Sequence, residues 1–280
     1  MTPIGYLKAF LRAHVDETTW RRLRYLNRIR HRELARIVDP IARAMIMYQL
    51  KRRRVSQIES YLARSPIRKL QLGAGSNILT GWLNSEGFAP SSFTRAINDS
   101  NSYIFLDVSK PFPFEDGSFD YIFHEHLIEH LNYLQGRLTL AECLRVLKPG
   151  GTIRIATPDL QVFCGLCNDE KSPEQVLFLS EYVRLNSGIW SADLGHVRDN
   201  HVAFVLNHNF RAWGHQFIYD YATLAEVLRT VGFSEIGRRV AHVSEDENLS
   251  GLEFRKDIVG VFDALVVEAK KPSAASDGLF

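Results

Sequence analysis

The spacing of apolar positions changes at Pro66. Before it they recur at helical intervals: Trp20, Leu23 and Leu26 are spaced by three, and Ile41, Ala44, Met45 and Tyr48 form one stripe. After it, short apolar runs alternate with helical stripes. Residues 69–72 read as a short strand ending in glycine, and residues 103–106 and 120–123 as two more. The spacing predicts a helix over 139–148, with Leu140, Leu144 and Leu147 on one face; Pro149-Gly150-Gly151 stops it before a strand at 152–156. Another helix is predicted over 223–230, closed by Gly232, and two late strands near 234–243 and 259–268. Alternation of this kind predicts a mainly parallel α/β sheet with helices on both faces.

Charge divides the chain nearly where periodicity does. Residues 1–64 carry 15 Lys+Arg against 5 Asp+Glu, whereas the remainder carries 19 against 27. The first quarter is therefore a basic helical extension that includes Lys51-Arg52-Arg53-Arg54. Such a segment lies on an anionic bilayer, pairs with phosphates, docks on a protein partner, or packs on the main domain as solvated helices. No stretch approaches the roughly 18 uninterrupted apolar residues of a membrane span. The 280 residues, 45% of them hydrophobic, suffice for a full-sized core, so disorder is not expected. Three cysteines are too few for a disulfide framework, and no leading apolar run resembles a signal peptide, so a cytoplasmic setting is expected. Cys164 and Cys167 form one C-x-x-C pair with no second metal half-site. Residues 271–280 read as a frayed tail.

The loop Gly73-Ala74-Gly75 carries the first chemical signal. In an open α/β sheet, ligands bind beyond the carboxyl ends of the strands, where glycines let the backbone approach them closely. A pyrophosphate-binding loop would read G-x-G-x-x-G, with an acidic residue about 20 positions on. Here the next strand-end carboxylate, Glu86, follows Gly73 by only 13 residues. That spacing disfavours a dinucleotide and leaves room for a nucleoside without pyrophosphate.

The ordered segments LQLGAGSN, WLNSE, FLDVSKPFPFEDGSFDYIFHEHLIEHL and LRVLKPGGTIRIATPD resemble the successive motifs of class I S-adenosylmethionine-dependent methyltransferases. The resemblance runs over most of residues 66–270 and implies a Rossmann-like, seven-stranded, mainly parallel sheet. It implies a methyltransferase domain over 65–270, with an acceptor-side insertion at about 159–215, and S-adenosylmethionine as cofactor. Carried over residue by residue, Gly73, Ala74 and Gly75 would form the turn beneath the donor. Glu86 would take its ribose hydroxyls, and Asp107 and Leu106 would sit at the adenine. His124 and Glu125 would lie near its amino-acid end or the acceptor. Gln71 stands where the family usually has an acidic residue, and Asn77 where it has a third glycine. More narrowly, LGAGSNILTGWLNSE and RAWGHQFIYDYATLAEVLRTVGF resemble a bacterial subgroup associated with surface-polysaccharide biosynthesis.

The insertion is rich in His196, His201, His208, His215, Trp190 and Trp213, and acceptor binding is expected there. Candidate general bases are His215 and His124, then His208 and Asp159. The expected acceptor is an oxygen on a glycan or other small biosynthetic molecule. Three readings stand beside it. One is an RNA methyltransferase that tracks phosphates through the basic segment, although no Asn/Asp-Pro-Pro-Tyr/Phe motif or Pro-Cys nucleophile is present. Another is a donor-binding scaffold without catalysis. The third is a zinc peptidase, because His126, Glu129 and His130 fit H-x-x-E-H, in which two histidines share a helical face. No metal ligand is assigned from sequence.

Overall fold

The computed structural model describes residues 48, 51–87, 103–190 and 202–273. The chain divides into two compact units, Met1–Arg52 and Arg53–Phe280. In the first, the Arg52 guanidinium lies 5.9 Å from the centroid of the Tyr48 ring. The helical stripes around Trp20 and Ile41, and most of the basic extension, lie outside the described residues. Among the described residues no helix is long and apolar enough to cross a membrane.

The second unit opens with helix α1, residues 53–64. Ile58 and Tyr61 on α1 are buried in the main core. The Tyr61 hydroxyl accepts from the Lys69 amide (2.8 Å) and bonds the Gly81 carbonyl (3.0 Å), tying α1 to the first strand. Packing thus places α1 with the sheet, although its charge groups it with the basic segment.

Seven strands form one sheet in the order β3-β2-β1-β4-β5-β7-β6. They are β1 (Lys69–Leu72), β2 (Leu83–Glu86), β3 (Tyr103–Phe105), β4 (Phe119–Glu125), β5 (Leu147–Pro158), β6 (Ser234–Arg239) and β7 (Ala264–Lys270). Strands β1 to β5 pair in parallel, and β7 runs antiparallel to both β5 and β6. The result is a Rossmann-like sheet, mostly parallel with an antiparallel edge. Strand order reverses between β1 and β4, and that switch point opens a crevice at the strands' carboxyl ends.

Several boundaries differ from those the sequence predicts; β6, for one, ends at Arg239 rather than at 243. Helix α2 (Tyr133–Val146) starts six residues early because Asn132 and Gln135 form a reciprocal capping box. It passes directly into β5 at Leu147, so Pro149-Gly150-Gly151 lies within the irregular start of the strand. The late strand expected over 259–268 is split: Ile258–Phe262 is a short helix, capped by Asp257, and only Ala264–Lys270 is strand. The remaining late helix, Tyr221–Val231, ends as expected on Gly232, whose φ of 116° suits a residue without Cβ.

The insertion is helical. Numbered along the chain, α3 is Leu160–Gly165, α4 Pro173–Trp190, α5 Val202–Arg211, α6 Tyr221–Val231 and α7 Ile258–Phe262. Helices α3, α4, α5 and α7 enclose a second core around Phe163, Phe178, Tyr182 and Val205. His196 and His201 lie outside the described residues.

His124, in the middle of the sheet on β4, is fully buried between Leu72 and Ile155, its partners in register. Among the described residues neither ring nitrogen has a hydrogen-bond partner. Burial lowers its pKa to about 4, against the partial opposition of the Glu129 charge. Its folded pKa is therefore below the unfolded value, and between about 6.5 and 4 the unfolded chain binds the extra proton. Stability is expected to fall with pH across that window, by about 3 kcal/mol at its acid end. Asp263, pushed up to about 6 by burial, titrates in the same range with opposite sign. The contribution of His124 is read as the difference between wild type and His124→Leu in urea melts from pH 7 to pH 4. A constant difference across the range would show that His124 does not titrate on unfolding.

Candidate functional site

At the carboxyl ends of β1, β2, β3 and β4 lies a cleft of about 790 Å³. Its floor is the loop after β1. Gly73 and Gly75 have φ of 62° and 51°, in the left-handed region that disfavours side chains. A Cβ on Gly73 would meet Leu127 Cδ1 at 3.0 Å, so the bare backbone is what leaves the floor open. Ala74 is buried, and its amide bonds the Ser85 carbonyl across the β1–β2 junction (2.9 Å).

Glu86 closes β2 and faces this loop. Its Oε2 accepts from the Gly75 amide (3.0 Å) and its Oε1 from the Gly87 amide (2.8 Å). A carboxylate offers acceptors only, which suits it to hydroxyl groups of a ligand. Asp107, just beyond β3, is steadied through Oδ1 by the Ser109 amide (3.0 Å) and hydroxyl (2.6 Å). Leu106, almost fully buried, supplies apolar wall beside it. Gln71 is 2% exposed, lines the cleft, and carries an Oε1 with no hydrogen-bond partner among the described residues. An orphaned buried acceptor costs free energy unless a donor meets it, so this atom suits an ammonium group. Asn77 borders the cleft but uses its side-chain nitrogen to hold the Leu252 carbonyl (3.0 Å). Glu125 likewise accepts from the Phe254 amide (2.8 Å) and anchors the loop carrying Phe254 and Arg255 over the cleft.

The four proposed bases are not brought together. His124 is buried within the sheet and does not line the cleft. Asp159, fully buried, caps α3 through the Gln161 amide (2.9 Å) and pairs with Arg238 (2.5 Å), so its carboxylate is committed to structure. His208 bonds the Tyr182 hydroxyl (3.1 Å) and packs against Trp213, one residue removed from the cleft wall. Partial burial lowers its pKa. His215 lies behind the wall, with its ring against His130 and Trp213. Burial lowers the pKa of His215 as well, opposed by the charge of Glu129.

Residues with no place in the sequence-derived donor set complete the cleft. His126 lines it at a φ of 48°, where β4 ends, and its Nδ1 lies 2.8 Å from Glu129 Oε1. Burial would lower its pKa, but the hydrogen bond and charge of Glu129 outweigh that and raise it. His130, Gln135, Trp213 and Gln216 form a further part of the cleft wall. The signal for His126 and His130 was present in H-x-x-E-H, yet its helical reading does not hold. Residues 128–130 form a single 3-10 turn and His126 precedes it in a left-handed turn, so the two histidines do not share a helical face. Glu129 is fully buried, and its two oxygens hold His126 and the Thr157 hydroxyl (3.0 Å).

Residues 70–155 match the family model of the methyltransferase domain. Comparison with curated protein sequences returned no match. Among solved structures, a SAM-dependent methyltransferase from Thermotoga maritima is 17% identical, with 86% of this chain and 99% of that chain covered at a TM-score of 0.41. A SAM-dependent methyltransferase from Archaeoglobus fulgidus is 14% identical, with 82% and 94% covered and a TM-score of 0.43.

Proposed function

We propose that residues 70–155, which match the methyltransferase domain, take S-adenosylmethionine and that the chain methylates a hydroxyl oxygen of a glycan or another small polyol-like acceptor. The donor end of this reading rests on Glu86, Asp107, the orphaned Gln71 oxygen and the glycine floor, which match in turn the hydroxyl, adenine, ammonium and chain-contact needs of that cofactor. When bound, it supplies an electrophilic methyl group on a sulfonium.

The observation that carries the acceptor is the part of the cleft wall around Trp213. Trp213, 57% exposed, borders the cleft beside the amides of Gln135 and Gln216. An aromatic face against C–H bonds, with amides for hydroxyl groups, is the surface chemistry a sugar ring requires. The residues of this wall orient the acceptor, and Phe254 and Arg255 help to screen the cleft from water. The subgroup resemblance of RAWGHQFIYDYATLAEVLRTVGF points the same way. In this reading the enzyme works in the cytoplasm, with residues 1–60 holding it at an anionic membrane face or a partner.

Incubating the protein with methyl-labelled donor and fractionated cell extract is expected to label a glycan or glycan-precursor fraction. Trp213→Ala is expected to raise KM for that acceptor about tenfold or more, as loss of a stacked ring does, with donor binding unchanged. Label appearing in RNA, with transfer that falls steeply as salt rises, would replace the glycan reading with the nucleic-acid one.

A further inference from the structure

We propose that Glu129, His130 and His215 form a binding site for a zinc-like divalent transition-metal ion at the acceptor end of the cleft. One ligand atom from each residue lies within 4.8 Å of the others. Ligands sit about 2.0–2.2 Å from such an ion, so closing the set needs shifts of about 1 Å, which side-chain rotation supplies. The two imidazoles stand edge to face with centroids 4.9 Å apart.

Each ligand has what metal binding asks of it. His215 Nδ1 lies 2.5 Å from the Asn209 carbonyl oxygen, a contact that requires Nδ1–H and leaves the Nε2 lone pair for the ion. Glu129 is fully buried, with His126 on Oε1 and Thr157 on Oε2, so its orientation is held while each oxygen keeps a lone pair. The His130 ring makes no hydrogen bond among the described residues, and it borders the cleft. Two imidazoles and one carboxylate, with His215 and Glu129 oriented by outer hydrogen bonds and His130 bordering the cleft, form the donor set of catalytic zinc-type sites.

This site rests on the methyltransferase reading for its role, though not for its existence. An acceptor hydroxyl reaching the ion from the cleft side, past His130, would lose its proton to water more readily. Its oxygen then forms the new O–C bond as the S–C bond of the donor breaks, leaving a neutral thioether.

The test uses the full chain, stripped with chelator and titrated with Co²⁺ and, separately, Cu²⁺. One saturable Co²⁺ per chain is expected, and a cupric resonance spectrum coupled to two imidazole nitrogens. His130→Ala and His215→Ala are each expected to weaken Co²⁺ binding at least about tenfold, the range seen when a metal site loses support, while the demethylated donor product still binds by calorimetry. Failure of saturable Co²⁺ binding, a spectrum without two-nitrogen coupling, or undiminished affinity in both variants would overturn the site. The wild-type spectrum decides even where a variant fails to fold. Metal binding without donor-product binding would sink the methyltransferase reading and leave the site standing; the converse would sink the site alone.

Discussion

Arg154→Met is expected to lower the unfolding free energy by about 3–5 kcal/mol, the cost of leaving buried carboxylates without their cation. Arg154 sits on β5 with no exposed surface. Its Nε donates to Glu253 (2.6 Å) and its Nη1 to Glu268 (2.6 Å), both nearly buried, and Nη1 also reaches the Val243 carbonyl (3.0 Å). Arg239 offers Glu268 a second, partly exposed bond, which does not replace the buried one. Urea melts would show the loss as a lower midpoint at unchanged slope. Because two acids share one arginine, Arg154→Met combined with Glu253→Gln and Glu268→Leu is expected to recover most of it. A triple variant no more stable than the single one would mean that the arginine acts through packing instead. Donor affinity should fall with the single substitution as well. Glu253 also accepts from the His242 amide (2.9 Å), so the triad fastens the segment that leads to Phe254 and Arg255 at the cleft.

Glu86→Ala is expected to weaken binding of the demethylated donor product by about 100-fold or more, since hydrogen bonds to a charged group are worth about 1.5–3 kcal/mol each. Two losses combine. The acceptor for the ribose hydroxyls disappears, and the amides of Gly75 and Gly87 lose the carboxylate that sets the loop. Glu86→Gln, which keeps one acceptor oxygen, should fall between. Stability is expected to change little, since the site faces the open cleft. Calorimetry checks both variants; affinity equal to wild type in Glu86→Ala would remove this carboxylate from the donor site, and with it the assignment of the cleft floor.

Most of the sheet was readable because strand–helix alternation is a local signal, written in apolar periodicity and in glycines at strand ends. The strand at Lys69–Leu72 was read to the residue. Errors occurred where a local pattern is ambiguous between states. The run from Val259 is apolar enough for a strand, but the Asp257 cap bonds the Gly260 amide (2.8 Å) and turns its first residues into helix. Lys-Pro-Gly-Gly reads as a break, yet Leu147 already pairs with Phe119, and the irregularity is absorbed as a register shift.

By itself the sequence determined which residues meet at one end of the sheet: a glycine loop, a carboxylate 13 residues on and an acid after the third strand lie at ends of neighbouring parallel strands, so their order along the chain is their order in space. Only the tertiary structure decided which histidines reach the cleft. His124 reads as well as His126 for a place near the substrate, but the first lies within the strand and is buried, while the second lies past its end in a left-handed turn that turns it to the cleft. His130 meets His215, Trp213 and Gln216 because the insertion folds back across the sheet, through Gln216 to the backbone of Glu129 (2.7 Å) and His130 (2.6 Å). Contacts between residues so far apart in the chain follow from how the helices pack, and no spacing in the sequence encodes them.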